Sequence, residues 1–270
     1  MEGMLSVCDI TKWLESKSAK RDFEKTCDTL KIGTLDKRVK KIGVAMFATP
    51  LVIRQASEWG ADMMVVHEPL YYNHYDVHSD EKVEVSKRRL LEQSGMAVYR
   101  FHDYAHAAKP DLIALGELKQ MGLVGEIEYT NTFDLARIVL KQEVTARDLA
   151  KELEESLNLK HIRIAGCLDQ PMKKVSCMFG APGGLLDELK SDSCEVLIAG
   201  EVSEWSLCEY ARDASELGFC KAVLALGHVG SERDGMVCLT DQIKEHFSEL
   251  DVKYFECEEV YSYTDEETTK

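Results

Sequence analysis

Three short stretches carry residue types that can do chemistry together: VVHEPLYY at 65–72, HDYAH at 102–106 and GHVGSE at 227–232. Each follows an apolar run, so each reads as the polar end of a buried strand. In the first, the run Met63–Val66 stops at His67 and Glu68, and Pro69 ends the element behind them. The later stretches space their donors at i, i+4, as His102/His106 and His228/Glu232, which puts two side chains on one face if the segment is helical. Imidazoles and carboxylates without sulfur suit Zn²⁺, Mn²⁺, Fe²⁺, Co²⁺ or Ni²⁺ rather than Ca²⁺ or Cu⁺. With two carboxylates able to bridge, two ions roughly 3.5–4 Å apart become possible. Any one histidine alone reads more simply as a satisfied core residue; the three places together favour a metal site. His74, Asp76 and His78, in the polar stretch 71–80, are read as loop residues rather than ligands.

The elements that must position these groups follow an α/β grammar. A helix is expected over 9–29, then a near-continuously apolar strand at 40–48 of the kind covered on both faces. Pro50 opens a helix that closes at Gly60, and ADMMVVHEP is the next strand, giving a right-handed parallel βαβ unit. A helix from about 80 to 94, a strand at 96–101 and a helix from Pro110 to Met121 complete the first part. From 127 to 195 come a strand-like run, a helix capped near Thr145, and the strand-plus-turn units RIAG and KKVSCMFGAPGG. The GAPGG turn lacks the rest of a phosphate-binding motif and is read as a loop. The last third holds strands at 195–200 and 221–227, a helix ending at Gly218, a helix at 240–249 and a final strand KYFEC. The acidic tail DEETTK is expected to be disordered. Strand ends of one parallel sheet open on the same edge, so the three polar stretches are expected to converge there.

Composition sets limits. The chain has 270 residues, 33 basic and 48 acidic, for a net charge of −15. No basic stripe is present to replace phosphate counterions, which argues against nucleic acid or an anionic membrane as the main partner. The nine cysteines form no CxxC pair and several sit in apolar runs, as reduced thiols do. With no basic-then-apolar leader and no run of membrane-spanning length, a cytoplasmic protein is expected.

Nearly end to end, the sequence resembles the NGG-interacting-factor-three-like dinuclear-metal proteins, known as type 2 homologues of GTP cyclohydrolase I. The likeness starts at IGVAMFATPLVIRQASEWGADMMVVHEPL and is most specific in AGEVSEWSLCEYARDASELG followed by GHVGSERDG. In that family an HHP, an HxxxD and a GHxxxE supply the ligands. Here GHxxxE falls on His228 and Glu232. HHP falls on His67–Glu68–Pro69, and HxxxD on His102–His106, so one histidine has become glutamate and one aspartate has become histidine. Three imidazoles and two carboxylates remain, with the same summed charge, so Glu68 and His106 read as exchanged ligands in an intact centre. Asp103 is the competing ligand if the loop register differs. The resemblance implies His67, Glu68, His106, His228 and Glu232 as ligands of two divalent ions. It makes His102 a proton shuttle or a group behind the ligands. Ligand histidines need a partner on the other ring nitrogen, and Glu201 and Glu204, at the end of another strand, are candidates for that role.

The resemblance also implies two intertwined three-layer α/β lobes with largely parallel sheets. Residues 1–126 plus 195–270 would form the metal-binding lobe and 127–194 an inserted second lobe. It implies a homohexamer, a trimer of dimers. The expected function is a metal-dependent hydrolase of unknown substrate; the alternative is a metal-handling or scaffold ring protein without enzymatic activity.

Overall fold

A computed structural model describes residues 5–20, 23–130 and 135–264; the acidic tail DEETTK lies outside them. The fold is mixed α/β, with a five-stranded and a six-stranded sheet and nine α-helices among the described residues. In chain order the first elements are α1 (Val7–Glu15), β1 (Leu30–Ile32), β2 (Lys41–Ala45), α2 (Pro50–Trp59), β3 (Met63–Val66), α3 (Lys82–Ser94), β4 (Ala97–Arg100), α4 (Asp103–His106) and α5 (Leu112–Met121). Next come β5 (Gly125–Tyr129), β6 (Leu135–Val144), α6 (Ala146–Ser156), β7 (Arg163–Gly166), β8 (Met172–Met178), α7 (Leu185–Lys190) and β9 (Val196–Ala199). A π-helical turn (Glu204–Cys208), α8 (Glu209–Glu216), β10 (Ala222–Ala225), α9 (His228–His246) and β11 (Asp251–Tyr254) finish the chain.

The chain divides into two compact units, Met1–Ala136 with Glu232–Cys257, and Arg137–Ser231 with Glu258–Lys270. In the first, the sheet order is β1-β4-β3-β2-β11; the last four strands run parallel and β1 closes the edge antiparallel. The βαβ unit forms as expected. Thr49 caps α2 by accepting the Val52 N–H, Pro50 occupies its first turn, and Gly60 ends it at φ 80°, in the left-handed region glycine tolerates. Every residue of β3 and β4 is buried. The helix expected over 9–29 stops at Glu15, because Ser16 and Ser18 donate their hydroxyls to the nearby carbonyls of Trp13 and Lys20 instead of prolonging the helix.

The second sheet has the order β5-β6-β8-β9-β10-β7, with β8, β9 and β10 parallel and β7 antiparallel. Its core is aliphatic with buried thiols, among them Cys177 and Cys194. Two expectations change here. Residues 195–231, expected in the metal-binding lobe, lie in the second unit, because β9 and β10 pair with β8 rather than with β3 or β4. The three polar stretches therefore do not end strands of one sheet. The last helix also begins at His228, not near 240, so His228 and Glu232 occupy its first turns. No helix among the described residues is long and apolar enough to cross a membrane.

Candidate metal centre

In the first unit β3 and β4 are parallel neighbours, with Val66 level with Arg100, so their C-terminal ends release His67–Glu68 and His102 side by side. The Met46 carbonyl accepts the N–H groups of both His67 and Glu68, at 3.1 and 3.0 Å, which fixes the backbone as the strand ends. After β4 the single turn α4 is held from outside by Asp28. Its carboxylate accepts the backbone N–H groups of His102, Asp103 and Tyr104, each at 2.9 Å. This clamp places His106 one turn beyond His102. Burial raises the Asp28 pKa, and those three hydrogen bonds work against the rise.

Glu232 reaches the cluster from α9, which packs on α5 within this unit. At the crossing the two backbones meet: a Cβ on Gly116 would lie 2.5 Å from Gly235 Cα, and one on Gly235 would lie 2.6 Å from Ile113 Cα. Only glycine allows that approach. Buried Glu117 completes the joint by accepting the N–H groups of Asp234 and Gly235.

These elements bring together His67, Glu68, His102, His106 and Glu232; single donor atoms within the sets His67/His102/His106 and His67/Glu68/Glu232 lie within 4.8 Å of one another. His67, Glu68, His106 and Glu232 are buried, with 0, 6, 7 and 3% exposure. The histidine tautomers follow from their outer partners. His67 Nδ1 lies 2.9 Å from the Phe101 carbonyl, which can only accept, so Nδ1 carries the proton. His106 Nδ1 lies 2.8 Å from the Asp111 carboxylate and donates to it. In the neutral rings both Nε2 atoms then present lone pairs, and they face each other at 3.2 Å. Glu232 brings two more acceptors, 3.6 Å from His67 Nε2 and 3.8 Å from His106 Nε2. Acceptors converging on one buried space fit a cation between them, and the Nδ1–H to oxygen pattern is the one ligand histidines show. Burial, and then the neighbouring His102 and His106, push the His67 pKa well below the ordinary imidazole value, which keeps it in the neutral ligating form.

His102 stacks on His67 with ring centroids 4.6 Å apart; its Nδ1 lies 3.0 Å from Asp103 and its Nε2 3.8 Å from Glu68. Asp103 also accepts from the Thr26 hydroxyl and the Cys27 N–H. Burial opposes its ionisation, yet these hydrogen bonds hold its pKa well below the usual carboxylate range. Arg100 is fully buried beside the cluster. Its Nε donates to the His67 carbonyl, and its guanidinium lies 3.6 Å from both Glu68 and Asp76. Asp76 closes the 70–76 loop by accepting the Leu70 and Tyr71 N–H groups, and His78 contacts Arg88.

His228 belongs to the second unit, where its Nδ1 lies 2.6 Å from Glu201 Oε1 in the same Nδ1-to-carboxylate pattern. Glu204 pairs with Arg163 at 3.0 Å instead. Sequence reasoning missed Arg100, Asp28 and Asp111. A charge inside the apolar stretch MAVYRF was the available sign for Arg100, and an aspartate before LIAL that for Asp111, which also caps α5.

The profile of the Duf34/NIF3 (NGG1p interacting factor 3) family matches residues 5–260. A Clostridium perfringens protein named GTP cyclohydrolase 1 type 2 homolog is 23% identical over 230 residues, 83% of this chain and 85% of the relative. A Halobacterium salinarum protein of the same name is 23% identical over 256 residues, 87% and 92% of the two chains. The crystal structure of a Bacillus cereus protein related to NIF3 superposes with a TM-score of 0.79 at 16% identity, covering 97% of this chain and all (100%) of the other. At that identity the likeness establishes the fold.

Proposed function

Because the chain belongs to the Duf34/NIF3 family, we propose that it is a metal-dependent hydrolase working through a centre of divalent transition-metal ions. The observation that supports this best is the pair of imidazole acceptors, His67 Nε2 and His106 Nε2, facing each other at 3.2 Å in a buried space with Glu232 beside them. His67, Glu68, His106 and Glu232 would hold the metal, with His228 as the fifth ligand by its place in GHxxxE. A bound divalent ion supplies a water of lowered pKa and polarises a carbonyl, imine or phosphoryl oxygen.

The chain's own groups do the rest. Phe101 and Asp111 keep both imidazoles in the ligating tautomer, and Arg100 offsets the buried negative charge of Glu68. His102 is the more exposed imidazole of the cluster, with 18% of its side chain accessible. Asp103 fixes its Nδ1, leaving Nε2 to take up or return a proton. Two ions are proposed on the strength of two carboxylates able to bridge, and a cytoplasmic homohexamer, a trimer of dimers, as the assembly.

Anomalous diffraction across the Mn, Fe, Co, Ni and Zn edges, with metal stoichiometry measured alongside, tests the centre. A substrate panel of GTP, cyclic and nucleoside phosphates and small amides tests the activity. Metal bound with no turnover by any metal-loaded form would move the reading to its alternative, a metal-handling or scaffold protein. One observation favours that alternative: four of the five clustered side chains are at most 7% exposed, which suits retention of an ion better than access of a bulky substrate.

A further inference from the structure

On the first unit, a groove of about 600 Å³ runs between α2 and α3 and is lined by Arg54, Lys82, Lys87 and Arg89, with Tyr72 and Leu90 completing its walls. Four cations gathered on one groove run against the grain of a chain with net charge −15. None of the four lies within 4.0 Å of a carboxylate of the described residues. The basic residue next to them, Arg88, does have such a partner in Asp80. Lys87 is the telling one. It is only 9% exposed, yet its ammonium makes no ion pair or hydrogen bond among the described residues, and its nearest aromatic ring, Tyr72, is 6.0 Å away. The acid that acts on it most, Asp76, is already held by Lys31 at 2.8 Å. The Lys87 stem is buried while its ammonium, which is not among the fully enclosed polar atoms, is left partly desolvated at the groove with no counter-charge of its own. Burial accordingly lowers the Lys87 pKa to about 8, a cost that an anion in the groove would remove.

We propose that this groove binds a phosphorylated small molecule carrying a planar ring, of the nucleotide class. Its phosphates would lie against Lys87, Arg54 and Arg89, and its ring on Tyr72. The cations fix the charge of the ligand. The volume is that of a small-molecule site, within the ~300–1,000 Å³ that such pockets span. Tyr72, 70% exposed at the edge of the groove, offers an open ring face for stacking. The site shares no residue with the metal centre and stands whether or not that centre is catalytic.

Calorimetric titration of the full-length chain with pyrophosphate, ATP and adenosine, each with and without EDTA, tests it. Pyrophosphate and ATP bind in EDTA and adenosine does not. The double variant Arg54→Gln/Arg89→Gln, altered at two exposed positions and so folded, weakens both phosphate ligands about 100-fold, roughly tenfold per charge-assisted contact. Tyr72→Ala weakens ATP about tenfold and leaves pyrophosphate unchanged. Binding that EDTA abolishes belongs to the metal centre and overturns the proposal. So does binding that the double variant leaves intact, or the absence of binding altogether. Displacement of ATP by single-stranded RNA with an affinity that grows with RNA length also overturns it, in favour of a polyanion surface.

Discussion

Each unit buries a glutamate among polar partners, and the two do it in opposite ways. In the second unit, buried Glu188 receives Arg137 through Nε and Nη2 at 2.9 and 2.7 Å and the Ser176 hydroxyl at 2.6 Å. Donors meet acceptors, the charge is balanced inside the protein, and nothing further is needed. In the first unit, Glu232 meets His67 and His106, whose outer partners have fixed both rings so that acceptors face acceptors. The cost of burying polar atoms is met in one place by a salt bridge; in the other, on the proposed reading, a cation would meet it. A buried polar cluster marks a ligand site by the direction of its lone pairs, not by being polar or buried.

The contrast can be broken experimentally. Its strongest form concerns His67→Ala, which removes one converging acceptor. Structural zinc sites bind with ~10–16 kcal/mol over four ligands, so the loss is on the order of 3 kcal/mol or more in metal affinity. Mass spectrometry of the purified variant should find no stoichiometric metal while circular dichroism stays native; retained stoichiometric metal would refute the site. Glu188→Ala should do the reverse. It leaves Arg137 without its carboxylate, costs about 2–3 kcal/mol in urea unfolding, and leaves metal content unchanged. Asp111→Asn alters the outer partner of His106 while keeping an oxygen to cap α5, and competition with a chelator should show metal affinity down about 10–100-fold, some 1.4–2.7 kcal/mol. An unchanged affinity would remove His106 from the ligand set.

The smallest expected effect sharpens the comparison through pH. Hydrogen bonds from Arg137, ahead of burial, hold Glu188 below the ordinary carboxylate value. Its folded pKa is depressed, so its contribution to stability is present above the unfolded value of about 4.5 and is lost as pH falls. Glu117 has the opposite sign. Burial, and then Asp234, push its pKa well above the ordinary value. Its contribution is complete below about 4.5 and disappears as pH rises through the folded pKa. Glu117→Gln should therefore flatten the decline in unfolding free energy on the alkaline side, by about 1 kcal/mol per pH unit in the affected window, whereas Glu188→Gln should flatten the acid side. Identical profiles for the two variants would contradict both assignments.

Much of the first unit was legible in the sequence because its signals are local. Thr49, Pro50 and Gly60 bound α2, and the apolar runs before His67 and His102 mark parallel strands that end together. The i, i+4 spacing within HDYAH puts His102 and His106 one turn apart. What stayed hidden depends on distant partners. Asp28 lies 74 positions from His102, whose N–H it accepts, and no local pattern marks that clamp. HVGSERDG falls outside the helix expected at 240–249, and Gly230 and Gly235 are poor helix formers. The helix forms anyway, since the crossing with α5 requires Gly235. Strand β10 looks like β3 in sequence, and only its pairing with β7 and β9 assigns it to the other sheet.

The joint where Gly116 meets Gly235 also governs how this chain can change over generations. A methyl group at either position would collide with backbone, so neither glycine can drift alone, and no single compensating side chain can make room. The placement of Glu232 is thereby insulated from substitution elsewhere on α5 and α9. An exchange of ligand types at the strand ends, such as the one proposed for Glu68 and His106, would take place against that fixed anchor.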